Sequence, residues 1–244
     1  MNLLLLSNSR KPGGGWLDHA EPLIRELLGS GRRRVLFLPF AAIGMSFDAY
    51  TAMAAQRLAR MGCIVRGAHR IARRTPADFD AVVVGGGNTF RLLAETRARG
   101  WLAPLRRAVR TGLPYLGWSA GANLACPSIR TTNDMPVVDP GGFAALDLVP
   151  FQINAHYTER SLRGHGGETR DQRIAEFLAM NPGVPVLGLR EGSLVHVEPA
   201  GTTGARRGKA HRATLLLGPG ARLFRHKRPV RDLAAGTDLS ALLG

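Results

Sequence analysis

The stretch "LGWSAGANLACP", residues 116–127, sets Ser119 inside a Gly-x-Ser-x-Gly frame running from Gly117 to Gly121. It stands behind an apolar run and leads into "ANLA", which reads as a helix start. A serine flanked by glycines between a strand and a helix is the context of a nucleophile elbow, a strained turn on which neighbouring side chains would collide. There the hydroxyl is exposed at the sheet edge, and the backbone N–H of the next residue, Ala120, is aimed at a developing oxyanion. The competing reading is an ordinary tight turn, because the pattern is short enough to arise by chance.

The elbow reading demands a strand–helix alternation, and the sequence on either side supplies one. Short apolar runs bounded by Gly, Pro or polar residues predict strands at 3–6, 35–39, 63–66, 81–84 and 114–117. In "WLDHAEPLIRELL", residues Trp16, Ala20, Leu23, Ile24, Leu27 and Leu28 fall on one helical face. "DAYTAMAAQRLARMG" predicts a second helix, with Asp48 as N-cap and Gly62 as C-cap. This repetition implies an α/β fold, a mainly parallel sheet flanked by helices on both faces. In such sheets ligands bind outside the carboxyl ends of the strands, so the loops after strands are where chemistry is sought.

A chain of 244 residues that is 45% hydrophobic suits one sizeable α/β domain over residues 1–244. No linker, repeat or low-complexity tract marks a boundary before about residue 200. The opening "MNLLLLSNSR" is too short to span a bilayer and lacks the basic start and cleavage site of a signal peptide, so it is expected to be a first strand. Two isolated cysteines, Cys63 and Cys126, imply neither a disulfide framework nor a metal site, and a reducing cytoplasm is the expected compartment. The formal net charge of +15 raises the question of nucleic acid. Only Lys11, Lys209 and Lys227 are lysines, and the arginines are spread along the chain. The two clusters, "ARRGKAHR" (205–212) and "RHKRPVR" (225–231), carry no interleaved aromatics for base stacking, so a solvated basic surface is the preferred reading.

Two post-strand loops stand out. In "VVVGGGNTF" three glycines, Gly85 to Gly87, follow a strand and Asn88 precedes a helix, an arrangement in which backbone N–H groups converge on an anion. The spacing is not that of a dinucleotide fingerprint, and a structural turn is the alternative. The other loop is the elbow, whose serine needs a histidine base and an orienting acid. His19 falls on a predicted helix, His69 after an early strand, His196 within the strand-like "SLVHVEP", and His211 and His226 in the basic tail, where solvated roles are expected. His156, in "FQINAHYTE", opens a polar loop after an apolar run, and His165, in "RGHGGE", is its loop rival. Glu191, in "VPVLGLREGS", again follows a strand. The strand-end candidates run Ser119, His156, Glu191, whereas an ordinary α/β-hydrolase runs serine, acid, histidine. The observed order is that of the glutaminase-type α/β scaffold, which usually carries cysteine at the elbow.

The blocks "LLLLSNS", "GGGNTF", "GWSAGANLACPSIRTTNDMP", "QINAHYT", "GETRDQRI" and "GLREGS", in this order from residue 3 to about residue 198, make the chain similar to the peptidase E (α-aspartyl dipeptidase) family of serine peptidases. The resemblance implies a class I glutamine amidotransferase-like (flavodoxin-like) scaffold and hydrolysis of Asp-X dipeptides through an acyl-enzyme, with no metal or organic cofactor. It implies Ser119, His156 and Glu191 as the triad and the backbone of Gly87 and Ala120 as the oxyanion hole. With it, Arg170 of "GETR" becomes the expected partner of the substrate's side-chain carboxylate, since a planar guanidinium holds a carboxylate bidentately. Asp134, with Thr132 and Asn88 as polar neighbours, is expected to meet the free α-ammonium, although Asp134 could equally cap a turn. The expected partners are Asp-X dipeptides, with no membrane and no specific nucleic acid, and a homodimer is left open. Alternatives are a cyanophycinase-like hydrolase of β-aspartyl peptides, an ordinary esterase using a late histidine such as His211, and a nucleic-acid-binding protein using the C-terminal clusters. The match fades after about Pro199, so residues 200–244 are read as a divergent basic part of the same domain.

Overall fold

The computed structural model describes residues 1–160, 166–200 and 210–244. Its centre is β1 (Leu3–Leu6), four successive leucines with no exposed surface. Neighbouring side chains on a strand point to opposite faces, so an unbroken apolar run means that both faces are covered. Leu3 and Leu5 enter one core and Leu4 and Leu6 the other.

Around β1 lie β2 (Arg33–Leu38), β3 (Cys63–Gly67), β4 (Ala81–Val84), β5 (Tyr115–Trp118), β8 (Leu194–Pro199) and β9 (His211–Leu216). They form a seven-stranded sheet in the order β3-β2-β4-β5-β1-β8-β9. The pairs β2–β3, β2–β4, β4–β5 and β1–β5 are parallel, whereas β8 and β9 close the edge antiparallel. On one face α1 (Glu21–Leu28) and α2 (Phe47–Ala59) bury Ile24, Leu27, Tyr50 and Leu58. On the other, α3 (Thr89–Ala98) and α4 (Leu102–Arg110) bury Leu92, Leu93, Leu105 and Val109.

All five predicted strands form, with boundaries shifted by at most two residues. The helix starts differ more. Residues 18–20 make a separate 3₁₀ turn, preceded by Leu17 at φ 62°, so the first α-helix begins only at Glu21, with Pro22 in its opening turn. The N-cap of α2 is Ser46, whose side chain accepts from the Ala49 N–H at 3.1 Å. Asp48 lies inside the first turn and pairs with His69 and Arg70. The helix ends at Ala59 with Arg60 as C-cap, two residues before Gly62.

The sequence does not announce a second sheet. It has the order β11-β10-β7-β6, with β6 (Gln152–Tyr157) parallel to β7 (Val186–Arg190), and with β10 (Ala221–Phe224) and β11 (Arg231–Leu233) antiparallel beyond it. The short α5 (Ala120–Leu124) follows Ser119, and α6 (Arg170–Met180) packs Ile174 and Leu178 against Tyr157, Val186 and Phe224. After residue 209, the chain adds β9 to the first sheet and β10 and β11 to the second. His165 and most of the 205–212 basic cluster lie outside the described residues. Among the described residues no helix is long and apolar enough to cross a membrane.

Candidate active site

Ser119 lies between β5 and α5 with φ 53° and ψ −114°, a backbone conformation that non-glycine residues rarely adopt and that the surroundings must hold in place. The flanking glycines are needed for close approach. A Cβ on Gly117 would lie 2.5 Å from the Gly121 carbonyl oxygen, and one on Gly121 would lie 2.4 Å from the Val84 carbonyl oxygen. The Ser119 N–H donates to the Leu6 carbonyl at 2.9 Å, which ties the elbow to the end of β1.

His156 Nε2 is 2.8 Å from Ser119 Oγ, and its Nδ1 is 2.7 Å from Glu191 Oε1. The hydroxyl, imidazole and carboxylate thus form one hydrogen-bonded series. His156 is near the end of β6, where the pairing with β7 becomes irregular between Asn154 and Tyr157, and its φ is 54°. Such irregularities re-aim a side chain. The side chains of His156 and Glu191 are 42% and 53% exposed, so water reaches the series.

Two residues that the sequence reading left without a role hold these groups. Ser7 is fully buried, accepts from the His156 N–H at 2.9 Å and donates to the Leu189 carbonyl at 2.8 Å. Asn8 accepts from the Gly192 N–H at 2.8 Å, next to Glu191. Both belong to "LLLLSNS", so their position straight after a buried strand was the available signal. Ser7→Ala takes the buried partner away from the part-buried His156 N–H, a loss on the order of 1 kcal/mol. The expected result is a lower urea midpoint together with a lower kcat, measured on the same preparation.

Neither the Gly87 nor the Ala120 N–H donates to any acceptor among the described residues. A Cβ on Gly86 would lie 3.1 Å from Ser119 Cβ, so the triple-glycine loop runs against the elbow. Gly87, at φ 135°, comes so near the Ala41 carbonyl that a Cβ would meet it at 2.3 Å.

Asn88, Thr132 and Asp134 come together at the start of α3. Asn88 caps that helix by accepting from the Arg91 N–H at 3.0 Å and donates to the Met135 carbonyl at 2.9 Å. Asp134 Oδ2 accepts from the Thr89 N–H at 2.8 Å, from its hydroxyl at 2.5 Å and from the Thr132 hydroxyl at 3.0 Å. Its Oδ1 accepts nothing from the described residues.

Arg170 is the first residue of α6, which Thr169 and Gln172 start with a capping box. It lines a cavity of about 420 Å³ together with Asn133, Thr158 and Glu159. Its guanidinium makes no hydrogen bond or ion pair with a described residue, and burial followed by the nearby Arg173 lowers its pKa. By contrast, the other arginine lining this cavity close to the second sheet is neutralised. Arg222 pairs with Asp171 and Asp232, and Arg190 pairs with Glu159 and Asp232. The Tyr157 hydroxyl adds a bond to Asp171 at 2.5 Å.

The remaining described histidines are elsewhere. His211 sits against the N-terminal amine, His196 against Asn2 and His69 against Asp48, while His19 has two buried ring nitrogens without a partner. Among the described residues no group of three or more His, Cys, Asp and Glu side chains is arranged to hold a metal ion.

A serine backed by an imidazole and a carboxylate at the end of a parallel strand is the arrangement of a serine hydrolase. The family model described as peptidase family S51 matches residues 3–203. Peptidase E of Citrobacter koseri is 55% identical over 205 residues, covering 83% of this chain and 89% of the relative. Peptidase E of Salmonella typhimurium is 55% identical over 199 residues, covering 81% and 86%. A solved structure named for peptidase E from Listeria monocytogenes EGD-e aligns with TM-score 0.52 at 21% identity over 96% of this chain and 98% of its own. A peptidase from an acI-B1 actinobacterium aligns with TM-score 0.62 at 13% identity over 98% and 96%. The chain belongs to peptidase family S51 and is a serine peptidase. Its mostly parallel, helix-flanked sheet is consistent with the amidotransferase-like, flavodoxin-like scaffold.

Proposed function

We propose that this peptidase is an aspartyl dipeptidase that cleaves Asp-X dipeptides with a free N-terminus, using Ser119, His156 and Glu191. Ser119 Oγ attacks the aspartyl carbonyl carbon while its proton passes to His156 Nε2. Glu191 holds Nδ1–H and stabilises the imidazolium. The oxyanion accepts from the N–H groups of Gly87 and Ala120, each such donor being worth roughly 2.7–4 kcal/mol in the transition state. The C–N bond breaks as His156 gives its proton to the leaving amine. Water then attacks the ester, with His156 as base, and releases aspartate and the free serine.

The observation that carries the selectivity is the half-buried guanidinium of Arg170, without an ion-pair partner among the described residues, in a cavity where Arg222 and Arg173 are matched by acids. It would receive the substrate's β-carboxylate. Asp134 Oδ1, with no acceptor duty of its own, would receive the α-ammonium, with Thr132 fixing the carboxylate. Asn88 has spent its carbonyl oxygen and one N–H internally, so it would offer a single donor. We place the enzyme in a reducing cytoplasm, in keeping with two free, buried cysteines.

A substrate panel tests the reading. Asp-Leu should be cleaved well in the presence or absence of a chelator, with Glu-Leu, Asn-Leu and N-acetyl-Asp-Leu poor substrates and β-aspartyl-arginine polymer untouched. Preferred cleavage of the polymer, or equal cleavage of Asp-Leu and N-acetyl-Asp-Leu, would overturn it.

A further inference from the structure

The triple-glycine loop is anchored at both ends. The Gly85 N–H donates to the Leu38 carbonyl at 3.1 Å, and the Asn88 N–H donates to the Ala41 carbonyl at 2.9 Å. Between these anchors lies the Gly86–Gly87 peptide. Its plane turns by changing ψ of one glycine and φ of the next, and glycine meets little steric resistance on either side. One bond alone, among the described residues, opposes such a turn: the Tyr50 hydroxyl donates to the Gly86 carbonyl at 3.1 Å.

A trans peptide points its C=O and its N–H in opposite directions. Holding the Gly86 carbonyl toward Tyr50 therefore fixes the Gly87 N–H on the far side. A half-turn of the plane would exchange them and put a carbonyl oxygen where a donor is needed. Tyr50 is well suited to the task because its ring is itself immobilised. It is 8% exposed, stands edge-on to Phe37 with centroids 5.1 Å apart, and stacks with Trp16 at 6.2 Å. A Cβ on Gly85 would come within 2.7 Å of its hydroxyl oxygen, so loop and phenol fit without slack. Burial pushes the phenol up to about 12, which keeps the donor proton in place.

We propose that Tyr50 is a positioning residue for catalysis, its hydroxyl pinning the Gly86–Gly87 peptide so that the Gly87 N–H serves the oxyanion. The proposal rests on the assignment of Gly87 as an oxyanion donor. It adds that the orientation of the Gly87 N–H is set by a side chain on α2, through the Gly86 carbonyl.

The test is Tyr50→Phe, which removes only the hydroxyl. A single tether of this kind holds the plane by about tenfold in population, so kcat for Asp-Leu should fall by about that factor with KM little changed. Phosphonylation of Ser119 by a fluorophosphonate, whose phosphoryl oxygen occupies the oxyanion position, should slow in proportion, while affinity for the product aspartate stays the same. A folded Phe variant with the parent's kcat and labelling rate would overturn the proposal. Incorporation of 3,5-difluorotyrosine at position 50 covers the case in which the Phe variant does not fold. It keeps ring and hydroxyl but ionises more easily, and a phenolate cannot donate. Activity should therefore decline at a lower pH than in the parent, and an unmoved profile would equally overturn the proposal. A parent protein that is labelled at Ser119 yet fails to cleave Asp-Leu would sink the aspartyl reading, and the labelling rates would still decide the role of Tyr50.

Discussion

Ser119→Ala is expected to lower release of aspartate from Asp-Leu by roughly 10⁴-fold or more, the scale on which nucleophile removal acts in serine hydrolases. The deleted hydroxyl is small and its neighbours keep their shape, so the circular dichroism spectrum and binding of the dipeptide, measured calorimetrically, should be retained. His156→Ala should be comparably severe. Because Oγ and Nε2 are 2.8 Å apart and act as one unit, the double variant should be little worse than either single one. Near-normal turnover by the Ser119 variant would refute the assignment. Turnover that survives loss of His156 would instead direct attention to another base.

Arg170→Met should reduce kcat/KM for Asp-Leu by about 100-fold or more, since truncating one partner of a desolvated charge pair carries a penalty of that order. The neutral Asn-Leu never makes the pair and should lose far less. Arg170→Lys should restore part of the loss, as an ammonium keeps the charge but not the two-pronged geometry. Arg170 has no described ion-pair partner to leave stranded, so the Met variant should fold with the stability of the parent. Equal losses on the two substrates would make Arg170 a structural residue.

The strand–helix succession was legible because each signal is local: apolar runs of four or five residues, a periodic helix face, glycines at a sharp turn. The three groups of the candidate triad were legible for a related reason, since each stands at or just after the end of an apolar run. What escaped was long-range. Nothing near Ser7 says that its hydroxyl will meet the backbone of a residue 149 positions away. Ser46 took the cap that Asp48 was expected to fill because Asp48 has partners in His69 and Arg70, across the fold. The second sheet was missed because β6 and β7 look, one at a time, like strands of the first. Only their pairing separates them, and pairing depends on which edges remain open after the rest has packed.

That division gives the site a particular vulnerability. Ser119 and the glycine loop are carried by β5 and β4 of one sheet, His156 and Glu191 by β6 and β7 of the other. The hydrogen-bonded series therefore crosses a seam, bridged at the end of β1 by Ser7 to Leu189, His156 and Ser193 and by Asn8 to Gly192, and after α5 by Thr131 to Ile153, Asn133 to Ala155 and Asn154 to Thr131. A sideways slip of one sheet against the other by about 1 Å would leave both layers folded and yet part the imidazole from the hydroxyl, at a cost of the order of 100-fold in rate. With the proposed triad at work, turnover would act as a strain gauge, registering a misalignment of the two halves well before either half comes apart.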